Sequence, residues 1–506
     1  MFTLKSTSDI ILTLGDDTMT QQELIELLES RVGIVKSNVY KEKNDTIIQD
    51  ITYNSKACIT DSAFFVKGVN FKEEYVLDAV NNGAFLVIAE KEYETQNAGI
   101  IIVKDIRKAM AVIAEEFFGR AYEKIKMIGL TGTKGKTTTA TYIHNILNEY
   151  LKKRTALLST VETYTGTRCE ESHLSTPEAI ELQRYIKEAE SNDLRYLTME
   201  VSSQAYKTNR ILNMQYDIGL FLNISEDHIS PAEHPNFTDY LNSKLEFIKN
   251  CKTVIINKET DYYQIVEEAA KNANKVITYG SEKAKDDVDY YFENLRKEDR
   301  YLTFDLVHNL ETETYRTKMF GDFNVQNATA AIIVAKELGI PLVNIQKGIQ
   351  ETTVSGRINI FEKNNKTIIV DYAHNRLSFE KFFEAIKKDY PENEIVAVFG
   401  APGGKAYIRR KDMAEVASKY SNKIYLTADD PQFESVRDIC NEIAQFTTCD
   451  YEIIEDREQA INKAFEEMKE NGVLCLLAKG EDKYQQVRGK LEDYISDVGI
   501  AKKLTE

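Results

Sequence analysis

The residues best suited to chemistry begin with Gly132-Thr133-Lys134-Gly135-Lys136-Thr137-Thr138. Glycines in such a run let backbone N–H groups point into one concavity, and a helix opening just after it adds positive potential. Lys136 can neutralise the outer phosphates of a nucleotide, and the Thr137 hydroxyl can ligate Mg²⁺. The regular spacing of a phosphate loop wants glycine at position 130, which is Leu130; glycine comes at 132 instead, so this is a shortened form. A glycine-containing strand–helix turn is the plain alternative. Strand, GKT and helix stand in order here, so the segment is read as a cradle for a nucleoside triphosphate. Two further points carry cation donors. Glu200 ends an apolar run in MEVSS, where a carboxylate can hold Mg²⁺, a hard ion that takes oxygen ligands; an ordinary exposed strand-end glutamate is the alternative. Asp227 and His228 end another run, in NISEDH. A lone histidine is more often structural than a ligand, and only its place at a strand's carboxyl end favours His228.

These points need elements to hold them, and the pattern supplies them. Apolar runs at 99–105, 126–132, 194–203, 217–225, 253–258, 367–373, 394–400, 423–430 and 473–480 read as buried strands. Amphipathic stretches at 137–153 and 410–420 read as helices between them. Continuous apolar strands alternating with helices predict an α/β chain with parallel sheets covered on both faces. Ligands of such sheets gather at the carboxyl ends of the strands. Those ends read TGTKGKT, MEVSS, NISEDH, DYAHN, VFGAPGG, TADDPQ and AKGEDKY, the most polar or glycine-rich points of each unit.

The 506 residues correspond to about three domains at roughly 150 residues each. Breaks near 121–125 and 352–356 divide the chain into 1–121, 122–353 and 354–506. Apolar residues make up 42% and charged residues 29%, enough for large cores and too rich for disorder. A net charge of −17 speaks against a dedicated nucleic-acid surface. Six scattered cysteines without a C-x-x-C pair read as reduced thiols of a cytoplasmic protein. Neither a signal peptide nor a membrane-spanning run of about 18 apolar residues is expected.

The reaction is not contained in the phosphate loop alone. TGTKGKTTT, LSTPE (174–178), MEVSSQAY (199–206), FLNISEDHI (221–229), GDFNVQNA (321–328), SGRI (355–358), DYAHN (371–375), TADDP (427–431) and AKGEDKYQ (478–485) occur in that order. Each motif is weak by itself. Nine in sequence, from about residue 50 to the end, resemble the Mur ligases, and within them the tripeptide-synthetase (MurE-type) branch that adds L-lysine. The resemblance implies a three-domain architecture: a UDP-sugar domain (1–121), a central P-loop ATPase domain (122–353) and a C-terminal Rossmann-like amino-acid domain (354–506). It implies ligation of L-lysine to the D-Glu of UDP-N-acetylmuramoyl-L-alanyl-D-glutamate through an acyl phosphate, a step of peptidoglycan synthesis that uses ATP and Mg²⁺. A cytoplasmic monomer with small-molecule substrates, no nucleic acid and no membrane span is expected.

Several site residues rest on this resemblance. Gly132, Thr133, Lys134, Gly135, Lys136, Thr137 and Thr138 would cradle ATP, with Asn324, Asn327, Arg357, Asp371 and His374 completing its site. Thr137, Glu200, His228 and Lys244 would bind metal, Lys244 as a carbamate. Lys136, His228 and Lys244 would be catalytic. Ser55, Ser175, Thr176, Ser202 and Arg210 match positions that contact the muropeptide; hydroxyls of an STPE segment would also serve as helix caps. Ser55 lies in Asn54-Ser55-Lys56, where the family has DSR. Arg357 beside the 352–356 break implies that the third domain closes onto ATP. His144 is read as packing and His234 as able to line the loop after NISEDH, while His173 and His308 are given no role.

Arg410, Asp429, Asp430, Pro431, Gln432 and Asp482 match the amino-acid site. Diaminopimelate-adding relatives carry DNPR, whose arginine pairs with that substrate's second carboxylate. This chain has Asp429-Asp430-Pro431-Gln432, and Gln432 cannot form the ion pair. Extra acid at Asp430, with Glu434 and Asp482, suits a cationic side chain, so L-lysine is expected. Ala478 for glycine, Asp482 for glutamate and the irregular VFGAPGGKAY run leave ornithine or meso-diaminopimelate, or another acceptor, as alternatives. A folylpolyglutamate synthase would begin close to the phosphate loop, whereas roughly 120 residues precede it here. A non-catalytic nucleotide-binding protein would not need Lys136, Thr137, Glu200, His228 and Lys244 together.

Overall fold

A computed structural model describes residues 18–68, 71–172, 174–226, 229, 233–298, 301–319, 321–354, 358–404 and 407–506. The chain divides into two compact units. The first comprises residues 1–289 and 330–341, the second 290–329 and 342–506.

The first unit holds two sheets. β1 (Ile34–Asn38), β2 (Asp50–Thr52), β3 (Ser62–Phe65), β4 (Ala84–Ala89) and β5 (Gly99–Val103) form a five-stranded sheet in the order β1-β5-β4-β3-β2. Only β1 runs antiparallel to its neighbour. All six residues of β4 and all five of β5 are buried, as strands covered on both faces require.

The larger sheet carries β6 (Lys126–Thr131), β7 (Ala156–Leu158), β8 (Thr163–Tyr164), β9 (Cys169–Glu170), β10 (Tyr196–Glu200), β11 (Tyr216–Phe221), β12 (Cys251–Asn257) and β13 (Lys275–Ser281). Within this unit the order is β9-β8-β7-β10-β6-β11-β12-β13. β7 through β13 in that order are parallel, and the β8 and β9 hairpin is antiparallel. β6 lies centrally, and the chain after it turns directly into the helix Lys136–Leu151. Gly129 in β6 permits close packing of the helix Phe237–Lys249: a Cβ there would lie 2.6 Å from the Phe247 ring and 2.8 Å from Tyr216.

The second unit begins with an antiparallel meander, β14 (Tyr290–Glu298), β15 (Tyr301–His308) and β16 (Glu311–Thr317). Its main sheet comprises β17 (Asn359–Lys363), β18 (Lys366–Asp371), β19 (Ile395–Phe399), β20 (Lys423–Leu426), β21 (Asp450–Ile453) and β22 (Val473–Leu477), ordered β17-β18-β22-β19-β20-β21. All but β17 are parallel. A hairpin, β23 (Tyr484–Val487) and β24 (Lys490–Asp493), follows.

The nine predicted strands are all present, several of them shorter at their carboxyl ends. The stretch 423–430, for example, is strand only through Leu426. Its polar tail leaves the ladder and forms a loop, which is how these sheets expose their chemistry. The predicted helices span Lys136–Leu151 and Ile408–Tyr420. The six cysteines are free thiols, as expected. Among the described residues no helix is long and apolar enough to cross a membrane.

Candidate active site

The phosphate loop follows β6. Gly135 is the N-cap of the helix Lys136–Leu151 with φ +85°, a backbone state that favours glycine. Gly132 is packed close: a Cβ there would lie 3.1 Å from Leu222 Cβ. Asn223, beyond the end of β11, clamps the loop from both sides. Its Oδ1 accepts from Lys134 N at 2.8 Å, its Nδ2 donates to Lys134 O at 3.0 Å, and its carbonyl accepts from Thr133 N at 3.0 Å. The Thr133 hydroxyl joins Ser225 and the Tyr240 hydroxyl. The helix start thus presents its first N–H groups on a braced loop, the arrangement that binds phosphate.

Two lysines converge there. Lys136 Nζ donates to Gly132 O at 2.8 Å and to Thr133 O at 3.4 Å. Lys244, on the helix Phe237–Lys249, donates to the same Gly132 O at 3.0 Å and to Thr131 Oγ1 at 3.4 Å. Lys244 is 2% exposed, and its ammonium lies 4.7 Å from the centre of the Tyr240 ring. Burial of a lysine head between the loop and a helix is not the solvated face that its sequence surroundings allow.

Glu200 ends β10, whose register pairs it with Leu130 at the end of β6. It is 1% exposed, which removes the exposed strand-end alternative. Thr160 holds the carboxylate, donating from its N–H to Oε1 at 2.8 Å and from its hydroxyl to Oε2 at 3.1 Å. Thr137 lies in the first turn of the loop helix and is buried. Among the described residues no group of three or more His, Cys, Asp or Glu is placed to hold a metal ion by itself. A hydroxyl and a carboxylate, both hard oxygen donors, fit an ion that keeps waters and substrate phosphates as its remaining ligands, as Mg²⁺ does. Asp227 and His228 lie outside the described residues.

The muropeptide candidates assemble beside Glu200. Thr176 Oγ1 donates to Glu200 O at 2.9 Å and accepts from Ser202 N at 3.0 Å. Ser175 Oγ is 2.9 Å from Thr160 Oγ1, so one threonine joins this group to the Glu200 carboxylate. Arg210 donates to Thr176 O at 3.0 Å and pairs with Glu178 at 2.8 Å. Glu178 also takes Lys67 at 2.9 Å and Arg107 at 3.4 Å. The capping alternative is not what these hydroxyls do: Glu178 is the N-cap of the helix Ala179–Ser191, and Ser202 makes no side-chain cap bond. Ser55 belongs to the first sheet's layer, where its carbonyl accepts from Asn82 at 3.0 Å.

The sequence reading missed Asn223, Thr160 and Tyr240, although Asn223 lay within NISEDH. His234 does more than line the loop after NISEDH. That ring is fully buried, with Nε2 2.8 Å from Ser203 Oγ and Nδ1 2.6 Å from Asp239 Oδ2. It braces the start of one helix against another, and within that loop His234 forms a β-bridge with Ile229. His144 packs as expected; burial, reinforced by Arg154, lowers its pKa to about 4 and keeps it neutral.

In the second unit, Asn327 Nδ2 donates to Asn324 Oδ1 at 3.1 Å, both buried on one helix. Asp371 accepts from Ala373 N at 2.8 Å and Ile358 N at 3.0 Å, and His374 Nδ1 donates to Tyr372 O at 2.7 Å. Arg357 lies outside the described residues.

The loops after β20 and β22 hold the acidic cluster. Lys479, 1% exposed and missed in the sequence, pairs with Asp430 at 2.7 Å and Asp482 at 3.5 Å. Asp482 also accepts from the Tyr372 hydroxyl at 3.3 Å. Burial pushes the Asp429 carboxyl up to about 6 against the pull of Lys479 and Arg457, with Asp430 and Asp482 adding to the rise. Burial likewise raises Asp482. Burial opposes the charge of Lys479, and the surrounding aspartates outweigh it. Gln432 takes φ +55° and its side chain donates to Gln486 Oε1. The acids are therefore not a bare anionic patch: buried charges need partners, Lys479 pairs with Asp430 and Asp482, and Asp429 lies in the field of both Lys479 and Arg457. Glu434 is not in that cluster. It pairs at 2.8 Å with Arg410, 2% exposed, which Glu442 also engages.

The Mur ligase middle domain matches residues 130–335, and the Mur ligase glutamate ligase domain matches 356–480. The chain is 37% identical to the UDP-N-acetylmuramoyl-L-alanyl-D-glutamate--L-lysine ligase of Streptococcus agalactiae, over 92% of this chain and 94% of that one. It is 38% identical to the ligase of the same name from Enterococcus faecalis, over 89% and 90%. Among solved structures, a UDP-N-acetylmuramoyl-L-alanyl-D-glutamate--2,6-diaminopimelate ligase superposes with a TM-score of 0.65 at 23% identity, covering 96% of this chain and 98% of that one, which speaks to the fold. The chain belongs to the Mur ligase family.

Proposed function

We propose that this Mur ligase joins L-lysine to the D-Glu carboxylate of UDP-N-acetylmuramoyl-L-alanyl-D-glutamate, the reaction named for its relatives from Streptococcus agalactiae, Enterococcus faecalis and Streptococcus pneumoniae. The terminal phosphoryl group of ATP moves to the carboxylate, the lysine amine attacks the acyl phosphate, and phosphate leaves. The carrying observation is the convergence of Lys136 and Lys244 on Gly132 O beside Glu200. Preorganised cations at the point where phosphoryl charge develops are a large source of rate in such transfers.

The loop N–H groups and Lys136 would bind the phosphates. Bound Mg²⁺ would screen the crowded anions, and Thr137, Glu200 and His228 would hold it. Two ammonium groups crowded on one carbonyl oxygen support carbamylation of Lys244, since a carbamate there would turn repulsion toward Lys136 into attraction and supply an oxygen ligand. Ser175, Thr176, Ser202 and Arg210, with Ser55 in the first sheet's layer, would hold the nucleotide-linked peptide, and residues 1–121 would form its domain. Residues 122–353 would bind ATP, Asn324, Asn327, Arg357, Asp371 and His374 completing its site. Residues 354–506 would bind the amino acid, Asp429, Asp430 and Asp482 facing its side-chain ammonium and Arg410 its α-carboxylate. For that last role Arg410 must exchange Glu434 or Glu442. The enzyme would act in the cytoplasm as a monomer.

Mass spectrometry of the product tests this reading. The UDP-linked peptide should gain one lysyl residue in the presence of ATP and Mg²⁺. An unchanged nucleotide peptide under those conditions contradicts it.

A further inference from the structure

The second unit buries an ion pair that the reaction above does not use. Arg457 and Asp497 are both 0% exposed by side chain. Arg457 is the first residue of the helix Arg457–Glu467, whose N-cap is Asp456. Its Nε donates to Asp497 Oδ1 at 2.8 Å and its Nη2 to Oδ2 at 2.7 Å, the bidentate fork that only arginine offers. The Tyr494 hydroxyl donates to Asp497 Oδ1 at 2.6 Å. Two of the three remaining guanidinium hydrogens go to backbone carbonyls, Nη1 to Ala428 O at 3.1 Å and Nη2 to Leu477 O at 2.7 Å.

Those carbonyls are not arbitrary. Leu477 is the last residue of β22, and Ala428 lies two residues past the end of β20. β20 and β22 flank β19, so Arg457 reaches across the carboxyl end of the strand between them. The next residue after Ala428 is Asp429, and Lys479 comes two residues after Leu477. Beyond these anchors the two loops meet again through Asp430 and Lys479 at 2.7 Å. The segment leading into the C-terminal helix adds Tyr494 N to Lys483 O at 2.7 Å and Val498 N to Gly480 O at 3.3 Å.

We propose that Arg457, fixed by Asp497 and Tyr494, is a positioning residue for the incoming amino acid, setting the spacing between the Asp429–Asp430 loop and the Lys479–Asp482 loop. The inference rests on reading that cluster as the amino-acid site. Arg457 itself touches no substrate. It acts by pinning the peptide groups that carry the recognising side chains, and displacements of about 1 Å in such frames cost up to about 100-fold.

The test is steady-state phosphate release by the full chain, with KM measured separately for L-lysine, ATP and UDP-N-acetylmuramoyl-L-alanyl-D-glutamate. Arg457→Lys keeps the charge and loses the fork. It should raise the L-lysine KM by about tenfold and leave the other two within about twofold. Tyr494→Phe keeps the ion pair and removes one hydrogen bond, and should raise the same KM about two- to threefold. A folded Arg457→Lys enzyme with an unchanged L-lysine KM, or with all three KM values raised alike, overturns the inference. If Arg457→Lys does not fold, an unchanged KM in Tyr494→Phe overturns it. A wild-type enzyme inactive with L-lysine would instead sink the substrate reading, and the variants are then compared with the amino acid that the wild type uses.

Discussion

The phosphate loop and the acidic cluster are both built at the carboxyl ends of parallel strands, yet by opposite means. At the loop, binding power comes from backbone: a helix start, two glycines, and lysines resting on the loop's own carbonyl oxygens. At the cluster, side chains of opposite sign meet, Lys479 among Asp429, Asp430 and Asp482, and one lysine offsets only part of their charge. The first arrangement suits any nucleoside triphosphate. On the proposed reading the second is tuned to one ligand charge, because adding or removing a single cation changes its balance. On that reading the chemistry lies in one place and the specificity in another, so changes at the two should fail differently.

The largest effect should come from the loop. Lys136→Ala should lower kcat by about 10³-fold or more with every amino acid tested, since the lost charge acts on the phosphoryl group. A selective loss with one amino acid only would break the distinction. Lys244→Ala should cost about 10²-fold, and bicarbonate or short-chain acids should restore part of the rate in phosphate-release assays. Full activity without any additive would remove Lys244 from the mechanism.

Smaller and selective effects belong to the cluster. Asp430→Asn should raise the KM for L-lysine by about tenfold, the cost of one charge-assisted contact, with the KM for ATP unchanged. Gln432→Arg should weaken L-lysine use several-fold by adding a cation beside the ammonium. Equal changes toward ATP in either variant would show that the two sites are not separate in function.

The smallest expected effect is one of pH. Asp429 has its carboxyl raised from 3.8 to about 6, chiefly by burial. A carboxyl with a higher pKa folded than unfolded holds its proton longer in the fold, so ionising it detracts from stability as pH rises through that window. Its charge is also what a cationic substrate needs. The L-lysine KM should therefore rise a few-fold below pH ~6 while the ATP KM stays flat. A KM for L-lysine that is independent of pH between 5 and 7 would exclude Asp429 from recognition.

The same contrast explains what the sequence discloses. Gly132 to Thr138 form a contiguous signal because loop, lysine and helix start are local in the chain. Lys244 is unreadable by itself: nothing in DYLNSKLEF distinguishes it from a solvated helix lysine, and only the fold brings it to Gly132, 112 residues away. The resemblance supplied it. In the cluster, the sequence shows excess acid but not its compensation. Lys479 and the Arg457–Asp497 pair are drawn in by burial, which composition does not reveal. The β14–β16 meander escaped because polar residues interrupt its strands: Thr303 and Asp305 lie buried within β15, and Glu311–Thr317 is mostly polar, so neither gives a continuous apolar run.

The most direct measurement is phosphate release across an amino-acid panel, with ATP, Mg²⁺ and UDP-N-acetylmuramoyl-L-alanyl-D-glutamate held constant. L-lysine should support turnover well above meso-diaminopimelate, with ornithine between them, and omission of the nucleotide peptide should abolish it. Turnover with meso-diaminopimelate and none with L-lysine would contradict the account.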